Sequence, residues 1–170
     1  MKLWCGAVAF GIIDITYADI QYKGAEIMKV IVSACLLGEN CKYNGGNNFK
    51  EHVAAFTEGK DVVMICPEVL GGLGTPRIPV EIAGDKTINK EGEDVTEQFT
   101  RGVALAMQQV EEILKHEDID CAVLQSRSPT CGVHARYDGT FTKTLVPKAG
   151  LFAQALIDAG IKVIDAEDLL

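Results

Sequence analysis

The sequence predicts an α/β domain: an open, mostly parallel sheet with helices on both faces, in a Rossmann-like three-layer architecture. Three observations carry this expectation. From Met28 onward, short runs of Val and Ile alternate with longer amphipathic stretches, the pattern of strands buried on both faces and covered by helices. The short runs end in loops rich in Gly, Pro and Cys, where a parallel sheet opens its ligand crevice. A 170-residue chain that is 48% Ala, Val, Ile, Leu, Met, Phe, Trp, Tyr and Cys supplies one core of ordinary size, which excludes disorder or a coiled coil as a description of the whole.

Taken in order, the first strand is Lys29 to Ala34, ending at Cys35, and the second is Asp61 to Ile65, ending at Cys66 and Pro67. Between them, Asn48 to Glu58 reads as a helix closed by Gly59. Asp94, Val95, Thr96 and Glu97 form a capping signal, Asp and Glu each able to take up an orphan backbone donor, ahead of a long helix from Gln98 to His116. Phe99, Val103, Ala106, Val110, Ile113 and Leu114 fall on one face of that helix. A third strand runs from Cys121 to Gln125. Tyr137 to Thr140 reads as a hairpin-like turn, Ala149 to Ala159 as a helix stopped by Gly160, and Ile161 to Ile164 as the last strand.

Residues 1–27 fit the rest poorly. They contain the only Trp and lack clear periodicity, and their apolar run reaches Asp14 too soon to span a bilayer. Lys23, Gly24 and Ala25 can be encoded by a ribosome-binding string placed suitably for a start at Met28. The expectation is therefore that 1–27 is a leader translated from upstream DNA, and that 28–170 forms a single α/β domain.

Sixteen Lys and Arg against twenty-four Asp and Glu leave a net charge of −8, which disfavours an extended nucleic-acid surface. Six cysteines are too sparse for a disulfide scaffold, so they read as reduced thiols of a cytoplasmic protein. Cys35 and Cys66 end strands and Cys131 lies in the loop after a third, so the three can converge at one edge of the sheet. Thiolates gathered there need a positive centre, and soft sulfur ligation suits zinc or an iron–sulfur cluster. Three ligands leave one metal position open for a substrate; Cys41, in C-x5-C with Cys35, would close the site if it were a fourth. Cys121 begins a strand at the opposite edge and reads as core filler.

Other candidates surround these cysteines. Glu68, two residues past Cys66, projects to the same side in an extended segment and suits a general acid or base. Arg77, fixed in the loop Gly71 to Pro79, can grip a substrate carbonyl or a carboxylate such as Glu81. Ser126 and Ser128 can donate to a substrate or cap their turn. His52, His116 and His134 are too scattered for a metal signature; His116 ends the long helix and His134 reads as a surface residue.

Several motifs together, Ser33-Ala34-Cys35-Leu36-Leu37-Gly38, Cys66-Pro67-Glu68 with Gly71 to Arg77, Asp94-Val95-Thr96, Ser126-Arg127-Ser128-Pro129-Thr130-Cys131-Gly132 and Tyr137-Asp138-Gly139-Thr140-Phe141, resemble the thiouracil desulfidase family. The resemblance extends from Met28 to the C-terminus. It implies a 4Fe-4S cluster held by Cys35, Cys66 and Cys131 with one open iron, and non-redox removal of sulfur from a thiolated pyrimidine. It further implies Glu68 as the group that activates water and a serine of the 126–128 loop, Ser128 ahead of Ser126, as helper, the open iron serving as a Lewis acid. The partner is then a small thiolated nucleobase. Two alternatives stand beside it: a zinc-dependent hydrolase, and a noncatalytic iron- or sulfur-binding module.

Overall fold

A computed structural model describes residues 27–169. The leader expectation rests on residues that, Ile27 apart, lie outside the described part. In chain order the elements are β1 (Lys29–Ser33), α1 (Glu51–Thr57), β2 (Asp61–Ile65), α2 (Pro67–Leu70), β3 (Val80–Ala83), β4 (Lys86–Asn89), α3 (Thr96–Leu114), β5 (Cys121–Leu124), β6 (Arg136–Tyr137), β7 (Leu145–Val146), α4 (Leu151–Asp158) and β8 (Val163–Asp165). Short 3-10 turns follow β1, at Ala34–Leu37, and β8, at Ala166–Leu169.

The central sheet is parallel, in the order β2-β1-β5-β8. Every residue of β1 is buried, as an inner strand flanked on both edges and covered on both faces requires. Its side chains alternate. Ile31 joins Ile65, Ala122 and Leu124 under Ala106 and Val110 of α3 and Phe152 and Leu156 of α4. Val30 and Val32 point the other way, with Cys121 and Val123, toward Val53 of α1, Leu36 and Ala166. The α/β, three-layer expectation holds. Lys29, at the buried start of β1, is neutralised by Asp61 and by Glu117 at 3.1 Å.

The chain leaves β1 toward β2 on one side, whereas it leaves β5 toward β8 on the other. Connections that diverge from neighbouring strands open a crevice beyond their carboxyl ends, here between β1 and β5. α2 is pressed onto α3 through two glycines. A Cβ on Gly102 would lie 2.0 Å from the Pro67 carbonyl oxygen, and one on Gly71 would lie 2.1 Å from that of Gln98. Only this bare backbone contact lets α2, and with it Cys66 and Glu68, sit at the crevice.

Several expectations are corrected. The Asp94–Glu97 box does not form: α3 starts at Thr96, and Asp94 accepts the Thr96 N–H at 3.0 Å in a tight turn while pairing with Lys86 at 3.1 Å. Asp94 also bridges to Ile88, which fixes it one step too early to cap. Leu114, the last residue of α3, is exposed. The helix expected from Asn48 begins only at Glu51. The β3–β4 hairpin and α2 were not foreseen, and the turn at Tyr137 to Thr140 belongs to a longer loop between β6 and β7.

Candidate active site

Ser33 ends β1, and the 3-10 turn that follows carries Cys35. Cys66 sits between β2 and α2, and Cys131 lies six residues past the Gln125 that follows β5. All three line one cleft of about 520 Å3 at the carboxyl edge of the sheet, together with Cys41, Glu68 and Ser128. None of the five described cysteines is in a disulfide. The convergence expected from strand ends is thus observed, and Cys121 is buried at the opposite edge.

Cys41 enters the cleft between Cys35 and Cys66. Its neighbour Cys35, followed by burial, pushes its thiol up to about 11. Proximity to Cys41 and burial raise the Cys66 thiol as well, while burial pushes Cys131 up to about 12 against a hydrogen bond from Ser33. Asn48 Nδ2 approaches Cys35 Sγ at 3.7 Å. Among the described residues, no three His, Cys, Asp or Glu side chains close to the spacing that a single ion needs. Sulfurs around one zinc stand about 3.8 Å apart, as Zn–S bonds of about 2.3 Å require. Soft sulfur donors gathered on one cleft suit a sulfur-rich metal centre.

Glu68 is not in an extended segment as expected; it occupies the first turn of α2, yet still faces the cleft with Cys66. Arg77 grips it twice on one oxygen, from Nε at 2.9 Å and Nη2 at 2.7 Å, and both side chains are about nine-tenths buried. The other oxygen accepts from Thr130 Oγ1 at 2.8 Å. The carboxylate partner expected for Arg77, Glu81, instead accepts the Gly139 and Phe141 backbone N–H groups.

The two serines differ. Ser126 is buried and its hydroxyl donates to Asp165, tying the loop after β5 to β8. Ser128 Oγ accepts the N–H groups of Thr130 at 3.2 Å and Cys131 at 3.1 Å, and meets Thr130 Oγ1 at 3.0 Å. Ser128 therefore shapes the Cys131 loop and touches the hydroxyl that binds Glu68. Thr130, almost fully buried, was missed by the sequence reading; its place immediately before Cys131 in a Ser-x-Thr turn was the available signal. Lys42, Lys90 and Lys143 also line the cleft. His134 is exposed and pairs with Asp168 at 2.7 Å, His116 pairs with Glu112 at 3.6 Å, and His52 reaches the Ala166 carbonyl at 2.9 Å.

An α/β scaffold with cysteines gathered beyond its strand ends defines a class of thiol-lined crevice proteins. The chain belongs to the 2-thiouracil desulfurase family, whose model matches residues 30–168. It is 36% identical over 150 residues to the uncharacterized protein YbbK of Bacillus subtilis (strain 168), covering 82% of this chain and 97% of that one. It is also similar to the solved structure of a 4Fe-4S-dependent thiouracil desulfidase, TudS. The two share 35% identity with a TM-score of 0.75 over 84% of this chain and 93% of the other. Among the described residues, no helix is long and apolar enough to cross a membrane.

Proposed function

We propose that this chain removes sulfur from a thiolated pyrimidine of the 2-thiouracil kind, in the cytoplasm, on a 4Fe-4S cluster held by Cys35, Cys66 and Cys131. The observation that carries this reading is the meeting of three cysteines from the loops after β1, β2 and β5 with a buried carboxylate on one cleft. Overall, the thiocarbonyl and water exchange sulfur for oxygen, giving the oxo base and hydrogen sulfide with no net electron transfer. When bound, the cluster supplies a Lewis-acidic iron for the thiocarbonyl sulfur, which needs one iron without a protein ligand.

The chain's own groups supply the rest. Glu68 takes the proton from the attacking water, and its orientation is set by Arg77 on one oxygen and Thr130 on the other. Arg77 thereby acts on substrate through Glu68 rather than by holding the ring. Ser128 is the serine placed to help, since the Ser126 proton is directed to Asp165. The substrate is a small molecule, in keeping with a cleft of about 520 Å3 and a chain of net charge −8.

The test is anaerobic reconstitution. Expected are about four irons per chain, sulfide release from 2-thiouracil, and loss of that release in Glu68→Gln with iron content unchanged. Colourless protein with one zinc would instead support the hydrolase, and a loaded protein that releases no sulfide would support the noncatalytic module.

A further inference from the structure

The motif Tyr137 to Phe141 has no part in the chemistry above, yet it and the residues just after it carry an unusual backbone at the cleft. Phe141 has φ of 56° and Lys143 has φ of 65°, in the left-handed region that bulky side chains avoid. The Phe141 conformation is held in place from outside. Glu81, buried on β3, accepts the N–H of Gly139 at 3.0 Å and of Phe141 at 2.9 Å on the same oxygen.

Gly139, at φ of 94°, packs so closely that a Cβ there would lie 2.5 Å from Ala83. Arg136 Nη1 donates to the Ile82 carbonyl at 3.2 Å, fastening the base of the loop to the same hairpin. A ladder of hydroxyls from Thr140 through Thr142 to Thr144, at 2.7 and 2.8 Å, closes the outer side.

This construction places Phe141 in the wall of the cleft that holds the cysteines. Strain at a bulky residue persists only where its surroundings over-determine it, and such residues gather at ligand clamps. We infer that Phe141 is the stacking wall for the planar pyrimidine, and that Glu81 is the positioning residue that holds it there. The inference rests on the desulfidase reading for the identity of the ring. A flat heterocycle offers a π-face to an aromatic side chain whatever its substituents, so the wall recognises the ring while other groups select the thiocarbonyl.

The test separates stacking from hydrogen bonding. Uracil and 5,6-dihydrouracil present the same N–H and C=O groups, but the second has lost its flat, conjugated ring. Equilibrium dialysis of each against the anaerobically reconstituted protein gives a binding ratio that does not depend on turnover. The unsubstituted protein is expected to favour uracil by about 10- to 100-fold, the worth of one base–aromatic stack. Phe141→Leu should lose most of this preference and Phe141→Trp should keep it. Glu81→Leu should lose it too, whereas Glu81→Gln, which still offers an oxygen to both N–H groups, should restore it. Equal affinity for the two ligands in the unsubstituted protein overturns the inference, as does Phe141→Leu weakening both by the same factor. Sulfide release from 2-thiouracil, measured separately, reports on the desulfidase reading itself.

Discussion

Arg77→Met removes the cation from a carboxylate that cannot retreat to water. Arg77 and Glu68 side chains are only 9% and 12% exposed, and the shortest N···O distance is 2.7 Å. At an effective dielectric constant of about 20, that separation corresponds to roughly 6 kcal/mol of gross attraction. Desolvation of the two ions, at several kcal/mol each, offsets most of it, so the pair as a whole adds little net stability. Removing one partner is a different matter, because among the described residues Glu68 would then keep only the Thr130 hydroxyl as a donor. Breaking a buried pair in this way costs about 3–5 kcal/mol. With about a tenth of each side chain still reaching solvent, a loss near 3 kcal/mol is expected. Urea unfolding under anaerobic conditions, followed by far-UV circular dichroism, measures it. The double substitution Arg77→Met with Glu68→Gln carries no orphaned charge and should recover about 2 kcal/mol. A single-variant loss below about 1 kcal/mol, or a double variant as unstable as the sum of the two singles, would refute the claim that Arg77 is the electrostatic partner of a desolvated Glu68.

Cysteine-to-serine variants separate ligands from neighbours: Cys35, Cys66 and Cys131 variants should each lose most bound iron on anaerobic reconstitution, while Cys41→Ser should retain it, all by colorimetric iron and sulfide assay. Asp94 is held down at about 2 by the Thr96 hydroxyl and N–H and by Lys86, below an ordinary value of 3.8. The folded protein therefore binds this proton less readily than the unfolded chain, and the stabilisation is present above about pH 4 and lost as pH falls toward 2. Asp94→Ala should be less stable at pH 5, and the difference should close by pH 2 in acid titrations of unfolding. Gly102→Ala would set a Cβ 2.0 Å from the Pro67 oxygen, and forcing α2 away should cost about 1–3 kcal/mol and reduce iron retention, read by thermal unfolding and metal analysis.

The sheet was legible because inner parallel strands must be apolar on both faces, and Val30, Ile31 and Val32 say so without help from the rest of the chain. The ligand edge was legible for a related reason: Cys35 and Cys66 follow strands directly, and topology alone sends strand ends to one side. What escaped was set by tertiary contact. The β3–β4 hairpin has short strands, and its first contains Glu81, whose burial is compensated only by the N–H groups of a loop nearly sixty residues away. The partner of Arg77 was equally hidden. Glu81 is closer in sequence than Glu68, but the helical turn of α2 carries Glu68 back over the cleft. Thr130 looked like a turn residue and is one; its second role exists only because α2 arrives opposite it.

These cross-ties bear on how the cleft comes to exist. Ser33 Oγ accepts the Gln125 N–H at 3.0 Å, joining the ends of β1 and β5. Thr130 joins the loop after β5 to the helix after β2, and Ser126 joins the same loop to β8 through Asp165. The loops that carry the three cysteines are thus linked, directly or through a neighbouring strand end, by protein-to-protein hydrogen bonds, on a sheet whose core is complete on both faces. In small metal-folded domains the ligands are brought together by the ion, and binding energy is folding energy. Here the loops that carry the donors are held by hydrogen bonds between protein groups, and Cys131 and Cys35 themselves pack against the two cores. The free energy of cluster binding is then available to hold the core itself, and loss of the cluster should leave sheet and helices folded.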